Sequence, residues 1–279
     1  MVTVREETAA EVETGMIEPV LRWPGAKWRI APWIVNMFPR HEVYLEPFFG
    51  SGAVFFNKSP SGTETINDID GEIINLFSVC RDCPEELAKR IEMTPYGRDE
   101  YLASLEPLEY VDPVEAARRF LVRTWQGFGG KTNRQASWAH DRTNLVFRPK
   151  YWSILPDRIL NVVTRLKQVQ IECMNALELI PMYNSKNTLL YVDPPYLKRD
   201  RTNLHYRHEF SSVSEHEQLL ELCLQHKGPC IISAYDDPIY EAALSDWDKK
   251  CMQVATNAGG SAKEIVFLNP KVTFEQRLF

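Results

Sequence analysis

Five residues suited to a strand, Thr188-Leu189-Leu190-Tyr191-Val192, run directly into Asp193-Pro194-Pro195-Tyr196. Successive prolines cannot donate to a β-ladder, and each pushes the residue before it away from helix. The run therefore reads as a strand that stops at Asp193, leaving a carboxylate, rigid carbonyls and an aromatic ring at its carboxyl end. Open α/β sheets bind ligands at that end of their strands. Acceptors held this way suit a flat group bearing N–H donors, such as the exocyclic amino group of a nucleobase, and Tyr196 offers a face for stacking. Asp-Pro and Pro-Pro pairs are also common loop punctuation, so the stretch alone reads first as a plain strand-ending turn.

The rest of the chain shifts that balance by supplying a sheet. Val43-Tyr44-Leu45-Glu46 forms a short strand, followed at once by Pro47-Phe48-Phe49-Gly50-Ser51-Gly52 and the helical run Ala53-Val54-Phe55-Phe56. Strand, glycine turn and helix make half of a dinucleotide-type unit. A second strand over residues 63–66 ends in Asn67-Asp68-Ile69-Asp70. From Glu72 to about Leu166 the pattern turns helical, over residues 73–79, 85–92 and 113–125, with a polar loop at 127–144 and no parallel-strand signature. Strand-like runs resume at 169–173, 188–192, 229–234 and 263–268, separated by helical stretches at 214–225 and 238–244. The simplest architecture is a doubly wound, Rossmann-like α/β domain (19–71 and 167–279) with a mostly helical domain (72–166) inserted after its second strand. Residues 1–18, with five Glu against one Arg and no periodic apolar face, predict a disordered tail.

With 279 residues, 44% of them hydrophobic, the chain can hold a full core. No apolar run is long enough to cross a bilayer and the N-terminus lacks a charged-then-apolar leader, so the expectation is a cytoplasmic protein with no membrane association. Six scattered cysteines are too few for a disulfide framework. Cys80 and Cys83 form a CxxC without a second pair at zinc-ribbon spacing, so no metal is expected. A net charge of −6 argues against a nucleic-acid partner, but residues 110–170 hold eleven Lys/Arg against four Asp/Glu. A basic segment inside an acidic chain fits a localised phosphate-contacting surface.

Gly50-Ser51-Gly52 places a tight turn and exposed N–H groups where a ligand's polar end can approach. Asp68, at the end of the next strand, can accept from the ribose hydroxyls of a nucleoside-containing cofactor, or cap a helix ahead of Ile73. Lys27 supplies a cation two residues after a glycine, and reads equally as a surface lysine.

Leu21-Arg22-Trp23-Pro24-Gly25-Ala26-Lys27, the stretch from Tyr44 to Phe56, Asn67 to Asp70, and Tyr191 to Tyr196 resemble, in that order and spacing, the Dam-type (D12 class) N6-adenine DNA methyltransferases, which include many phage-encoded members. The resemblance covers most of residues 19–279 and extends to Ser233-Ala234-Tyr235-Asp236 and to Glu264-Ile265-Val266-Phe267-Leu268-Asn269. It implies a methyltransferase fold using S-adenosyl-L-methionine and double-stranded DNA, with no obligate protein partner evident. It implies that Trp23 and Lys27 contact the cofactor, and that the turn holding Glu46, Phe48, Gly50, Ser51 and Gly52 cradles its methionine end. Asp68 takes the ribose, Asp193 borders the cofactor, and Asn175 stands where the family places a residue, usually Asp, against the cofactor's adenine. The catalytic set is Asp193, Pro194, Pro195 and Tyr196.

The adenine N6 lone pair is delocalised into the ring, so Asp193 and the Pro194 carbonyl must accept hydrogen bonds from its N–H groups, favouring a more tetrahedral nitrogen, before it becomes a good nucleophile. Alignment and electrostatics then carry much of the rate. Tyr196 stacks on a target base that has left the duplex. DNA lies along residues 72–166 as a target-recognition domain, where Lys131, Asn133 and Arg134 occupy a glycine-flanked loop, and along Lys198, Arg199 and Arg201 after the Asp-Pro-Pro-Tyr turn. The same chemistry serves cytosine N4 or RNA, and a DNA-binding module without turnover is a further alternative; modified nucleosides and cofactor binding separate them. A partner nuclease, as in restriction-modification, is left open.

Overall fold

The computed structural model describes residues 17–107, 112–128, 137–140, 148–197, 210, 212–234, 236–255 and 261–272. Seven strands form one sheet: β1 (Val43–Glu46), β2 (Thr63–Asn67), β3 (Gln170–Glu172), β4 (Thr188–Val192), β5 (Cys230–Ala234), β6 (Asp248–Ala255) and β7 (Ser261–Leu268). Their spatial order is β3-β2-β1-β4-β5-β7-β6. The first five are parallel, with Leu45 in register with both Thr65 and Leu190, while β7 runs antiparallel between β5 and β6. The chain winds outward from β1 in one direction and from β4 in the other, the doubly wound α/β architecture.

A sheet covered on both faces needs strands that are apolar on both faces, and β4 and β5 are buried at every residue. Alternation along each strand divides the core in two. Tyr44, Leu189, Tyr191 and Ile231 pack on one side with the helices Gly71–Asp82 and Pro113–Gln126; Leu45, Leu190, Val192 and Ile232 pack on the other with Ala176–Met182 and Val213–Gln225.

The helices between β2 and β3 share the first of these cores. Phe49, in the turn after β1, meets Phe77 edge-on at 4.9 Å between ring centroids, and Trp23 lies 6.0 Å from Phe120. Trp125 donates to the Val20 carbonyl at 2.8 Å, and Arg158 donates to Glu18 and to the Pro19 carbonyl. Ile17 packs against the same core, so the described end of the predicted tail is tied to the helical region.

Helix and strand positions follow the sequence reading closely, with shifts of a few residues. Strand β6 went unread because Asp248-Lys249-Lys250 begins it and an edge strand needs no apolar face; it forms along the register of β7. The helices Arg98–Leu105, Leu155–Asn161 and Ala176–Met182 also went unread, each spanning only about two turns, short of the window over which periodicity stands out.

The basic window looks different in three dimensions. Arg118 pairs with Glu100 and Glu115, Arg119 with Glu115, Arg123 with Glu72, Arg158 with Glu18, and Arg165 with the buried Glu64. Four of those acids come from outside residues 110–170, so a linear count overstates the charge left for an external anion. Among the described residues no helix is long and apolar enough to cross a membrane.

Candidate active site

A cleft enclosing about 1030 Å³, its open mouth included, lies outside the carboxyl ends of β1 and β4. Those neighbours are where the winding direction reverses, the crevice in which open α/β sheets take ligands. The N-terminal loop contributes Trp23 and Lys27, the turn after β1 contributes residues 46–51, and the end of β2 contributes Asp68. Asn175 enters ahead of the helix Ala176–Met182, and residues 193–196 enter after β4. Of the cofactor residues read from sequence, Gly52 alone is not part of the wall.

Gly52 acts from behind the wall. It starts the helix Ala53–Asn57 at φ +69°, and a Cβ there would stand 2.4 Å from the Phe49 ring and 2.8 Å from Phe56. Gly50, at φ +51°, would place a Cβ 3.1 Å from the Trp23 indole. Both positions need a left-handed backbone and no side chain. Asp68 braces the turn by accepting from the Gly50 N–H at 2.9 Å and from the Asp70 N–H at 3.0 Å. The cap of the helix Gly71–Asp82 is Asp70, not Asp68, since Asp70 accepts from the Glu72 N–H. Ser51 accepts from the Trp28 indole at 3.1 Å, and Phe48 packs edge-on against Phe210.

Two carboxylates on this floor are raised by burial. Glu46, accepting from the Tyr44 hydroxyl at 2.7 Å, is pushed up to about 8, and Asp68 to about 6. For Glu46 the Tyr44 hydrogen bond opposes burial while the neighbouring Asp193 charge adds to it. Asn175 reaches the cleft, but its Oδ1 caps the following helix by accepting from the Leu177 N–H at 2.9 Å, a duty not foreseen. Asn67 behind it donates to the Pro47 and Met174 carbonyls and accepts from the Met174 N–H, locking the ends of β1 and β3 together.

At the opposite wall the Lys27 ammonium is buried, with 6% exposure. It lies 3.2 Å from Asp193 Oδ1, 3.4 Å from Glu264 Oε1 and 3.2 Å from the Gly25 carbonyl, and it donates to the Tyr196 hydroxyl. Tyr196 in turn lies 3.1 Å from Glu264 Oε1 and 3.4 Å from Asp193 Oδ1. Burial raises the Asp193 carboxyl above its ordinary range, and the Lys27 charge pulls it back. Glu264 is likewise pushed up to about 6 by burial, lowered by Lys27 and raised by Asp193. The surface-lysine reading of Lys27 is thereby set aside. From sequence, Glu264 was noted only as the start of a stretch resembling the family, with no role assigned. Its signal was a lone carboxylate opening an otherwise apolar strand run, Ile265-Val266-Phe267-Leu268.

Lys131, Asn133, Arg134, Lys198, Arg199 and Arg201 lie outside the described residues. Gly127 and Trp138 form an antiparallel bridge, and Phe128 N–H donates to the Ser137 carbonyl at 2.8 Å, so residues 127–128 and 137–138 lie side by side. Among the described residues no group of three or more His, Cys, Asp or Glu is placed to hold a metal ion.

The sequence profile of the D12 class N6 adenine-specific DNA methyltransferases matches residues 23–257. A type II methyltransferase of Lactococcus lactis subsp. cremoris is 25% identical over 277 residues, covering 91% of this chain and 95% of that protein. The DNA adenine methylase of Escherichia coli (strain K12) is 22% identical over 260 residues, covering 88% of this chain and 91% of its own. Among solved structures, a SAM-dependent methyltransferase from Agrobacterium tumefaciens covers 88% of this chain and 61% of its own at 11% identity, with a TM-score of 0.41, too loose a likeness to argue from. The profile spans most of the chain, from the loop at Trp23 through the Asp193 turn, and on that extent the chain belongs to the D12 class N6 adenine-specific DNA methyltransferase family.

Proposed function

We propose that the protein transfers a methyl group from S-adenosyl-L-methionine to N6 of an adenine that has left the DNA duplex. The observation that carries this is the meeting of Asp193, Tyr196 and Lys27 beside the glycine turn in one cleft. The donor set fits the cofactor: Glu46 and the turn for its amino-acid end, Asp68 for its ribose, Trp23 for its flat base, Asn175 at the cleft edge. Bound there, the cofactor supplies an electrophilic sulfonium methyl. Asp193 and the Pro194 carbonyl accept from the target amino group and make its nitrogen nucleophilic, Pro195 keeps that turn rigid, and Tyr196 stacks on the base. Residues 72–166 serve as the target-recognition region.

Incubating the protein with tritiated-methyl cofactor and unmethylated bacterial DNA, then digesting to nucleosides, tests the reading. N6-methyladenine is the expected product. N4-methylcytosine, label in RNA alone, or no label would overturn it.

Cofactor binding should release a proton at neutral pH. With a pKa of about 8, the Glu46 carboxyl is largely protonated before the cofactor arrives, whereas an incoming ammonium favours the ionised form. Affinity should therefore rise with pH up to about 8. Calorimetry in buffers of different ionisation enthalpy reads the proton directly, and Glu46→Gln should abolish it. Buffer-independent heats in the wild type would remove Glu46 from the amino-acid end.

Neutralising Lys131 and Arg134 together should weaken DNA binding and shallow its salt dependence, by about 0.9 in log–log slope for each phosphate no longer neutralised. Binding isotherms at several salt concentrations measure this. An unaltered slope would place the phosphates elsewhere, and a change in site preference with the slope retained would make these residues base readers.

A further inference from the structure

Glu264 reaches the site by a route different from the other residues. The parallel strands β1, β2 and β4 bring residues at their carboxyl ends to the cleft, but β7 runs antiparallel to β5, with Ala234 in register with Ile265. Its beginning therefore lies at the mouth where the parallel strands end. A carboxylate there is 5% exposed, inside a strand whose next four residues are fully buried and apolar. Burying it costs free energy unless charge and hydrogen bonds compensate, and Lys27 and Tyr196 provide both. Residue 264 lies beyond the stretch matched by the family profile.

The geometry also divides the hydrogen bonds. A phenol has one proton to give, and the Tyr196 hydroxyl stands closer to Glu264 Oε1, at 3.1 Å, than to Asp193 Oδ1, at 3.4 Å. Lys27 is shared in the opposite order, 3.2 Å from Asp193 Oδ1 and 3.4 Å from Glu264 Oε1, so Glu264 takes up part of its charge as well. If Glu264 were absent, both the phenol and the whole ammonium would fall to Asp193 and occupy the lone pairs that the target amino group needs.

We infer that Glu264 is a positioning residue for methyl transfer: it takes the Tyr196 hydroxyl proton in a hydrogen bond and shares Lys27, which fixes the aromatic ring at the cleft wall and leaves Asp193 open as an acceptor. This rests on the proposed roles of Asp193 and Tyr196. The charged and titratable neighbours facing the pair are Lys27, Tyr196, Glu46, Tyr191 and Tyr240.

The test is a double-mutant cycle of Glu264→Ala and Tyr196→Phe, read as single-turnover methyl transfer into unmethylated bacterial DNA at saturating cofactor, with Glu264→Gln and Tyr196→Ala alongside. Glu264→Ala should slow transfer by about 10- to 100-fold, the scale of a small misplacement at a reacting centre. Glu264→Gln keeps an acceptor for the phenol and should recover most of that loss. Tyr196→Phe should cost little further in the Glu264→Ala background, because both changes remove one hydrogen bond. Cofactor and DNA affinities, by calorimetry, should change little in either variant. Additive losses, or Glu264→Gln as slow as Glu264→Ala, would overturn the inference. Should Glu264→Ala fail to fold, Glu264→Gln in the Tyr196→Phe background decides alone: a further loss there overturns it, and none supports it. Tyr196→Ala at wild-type rate would instead sink the stacking role on which the inference rests.

Discussion

Asp193→Ala should lower the single-turnover rate of adenine methylation by about 10² to 10³, the usual cost of removing one preorganised electrostatic contact, while the protein stays folded and binds DNA. The expectation follows from where the carboxylate sits. It directly follows β4, a strand buried at every residue, and the prolines after it hold the turn, so the acceptor is fixed before substrate arrives. Asparagine keeps one acceptor but loses the charge, and should retain a small residual rate. Because burial raises Asp193, the wild-type rate should fall as pH drops through that raised value, where the carboxylate protonates and stops accepting. Chemical-quench measurements with cofactor in excess would read both effects. Transfer by Asp193→Ala at near wild-type rate would show that another group accepts from the target nitrogen.

What the sequence disclosed about this site follows from which interactions are local. The Asp193 turn, the glycine turn and the Asp68 position are each written within a few consecutive residues, because a strand end, a positive φ and two successive prolines are properties of short segments. The buried state of Lys27 is not written locally. It depends on the N-terminal loop folding across the mouths of β4 and β7, more than 160 residues away. The role of Glu264 was hidden for a related reason: in a parallel sheet the chemistry collects at strand ends, and only the reversed direction of β7 brings its first half to the site. The net charge of the basic window was misjudged in the opposite way. Its arginines were counted without their partners, and Glu18, Glu64, Glu72 and Glu100 reach them only through the fold. Asn175 shows a milder case, since the cap it provides requires the helix Ala176–Met182, whose about two turns fall short of the window in which periodicity stands out.

Lys27→Gln tests whether the charge beside Asp193 matters as much as the carboxylate itself. In the wild type one ammonium lies within 3.4 Å of two acids, the buried Glu264 and the partly exposed Asp193. Lys27 lowers both carboxyls, and Asp193 and Glu264 would otherwise face each other with burial driving each toward its neutral form. The sign follows: without the cation the Asp193 value rises further, so a larger fraction is protonated at neutral pH and the rate-rising limb moves to higher pH. The larger protonated fraction should slow transfer by about tenfold or more at a pH below the wild-type limb. Raising the pH should recover much of that loss in Lys27→Gln, and Lys27→Arg, which keeps the charge, should hold the limb close to the wild-type position. Asp193→Ala cannot be recovered in this way, so the two variants separate an acceptor that is missing from one that is protonated. Near-ultraviolet circular dichroism across the same pH range controls for folding. A Lys27→Gln rate profile that is depressed uniformly, with its limb unmoved, would mean that Lys27 serves cofactor binding and does not hold Asp193 in its ionised form.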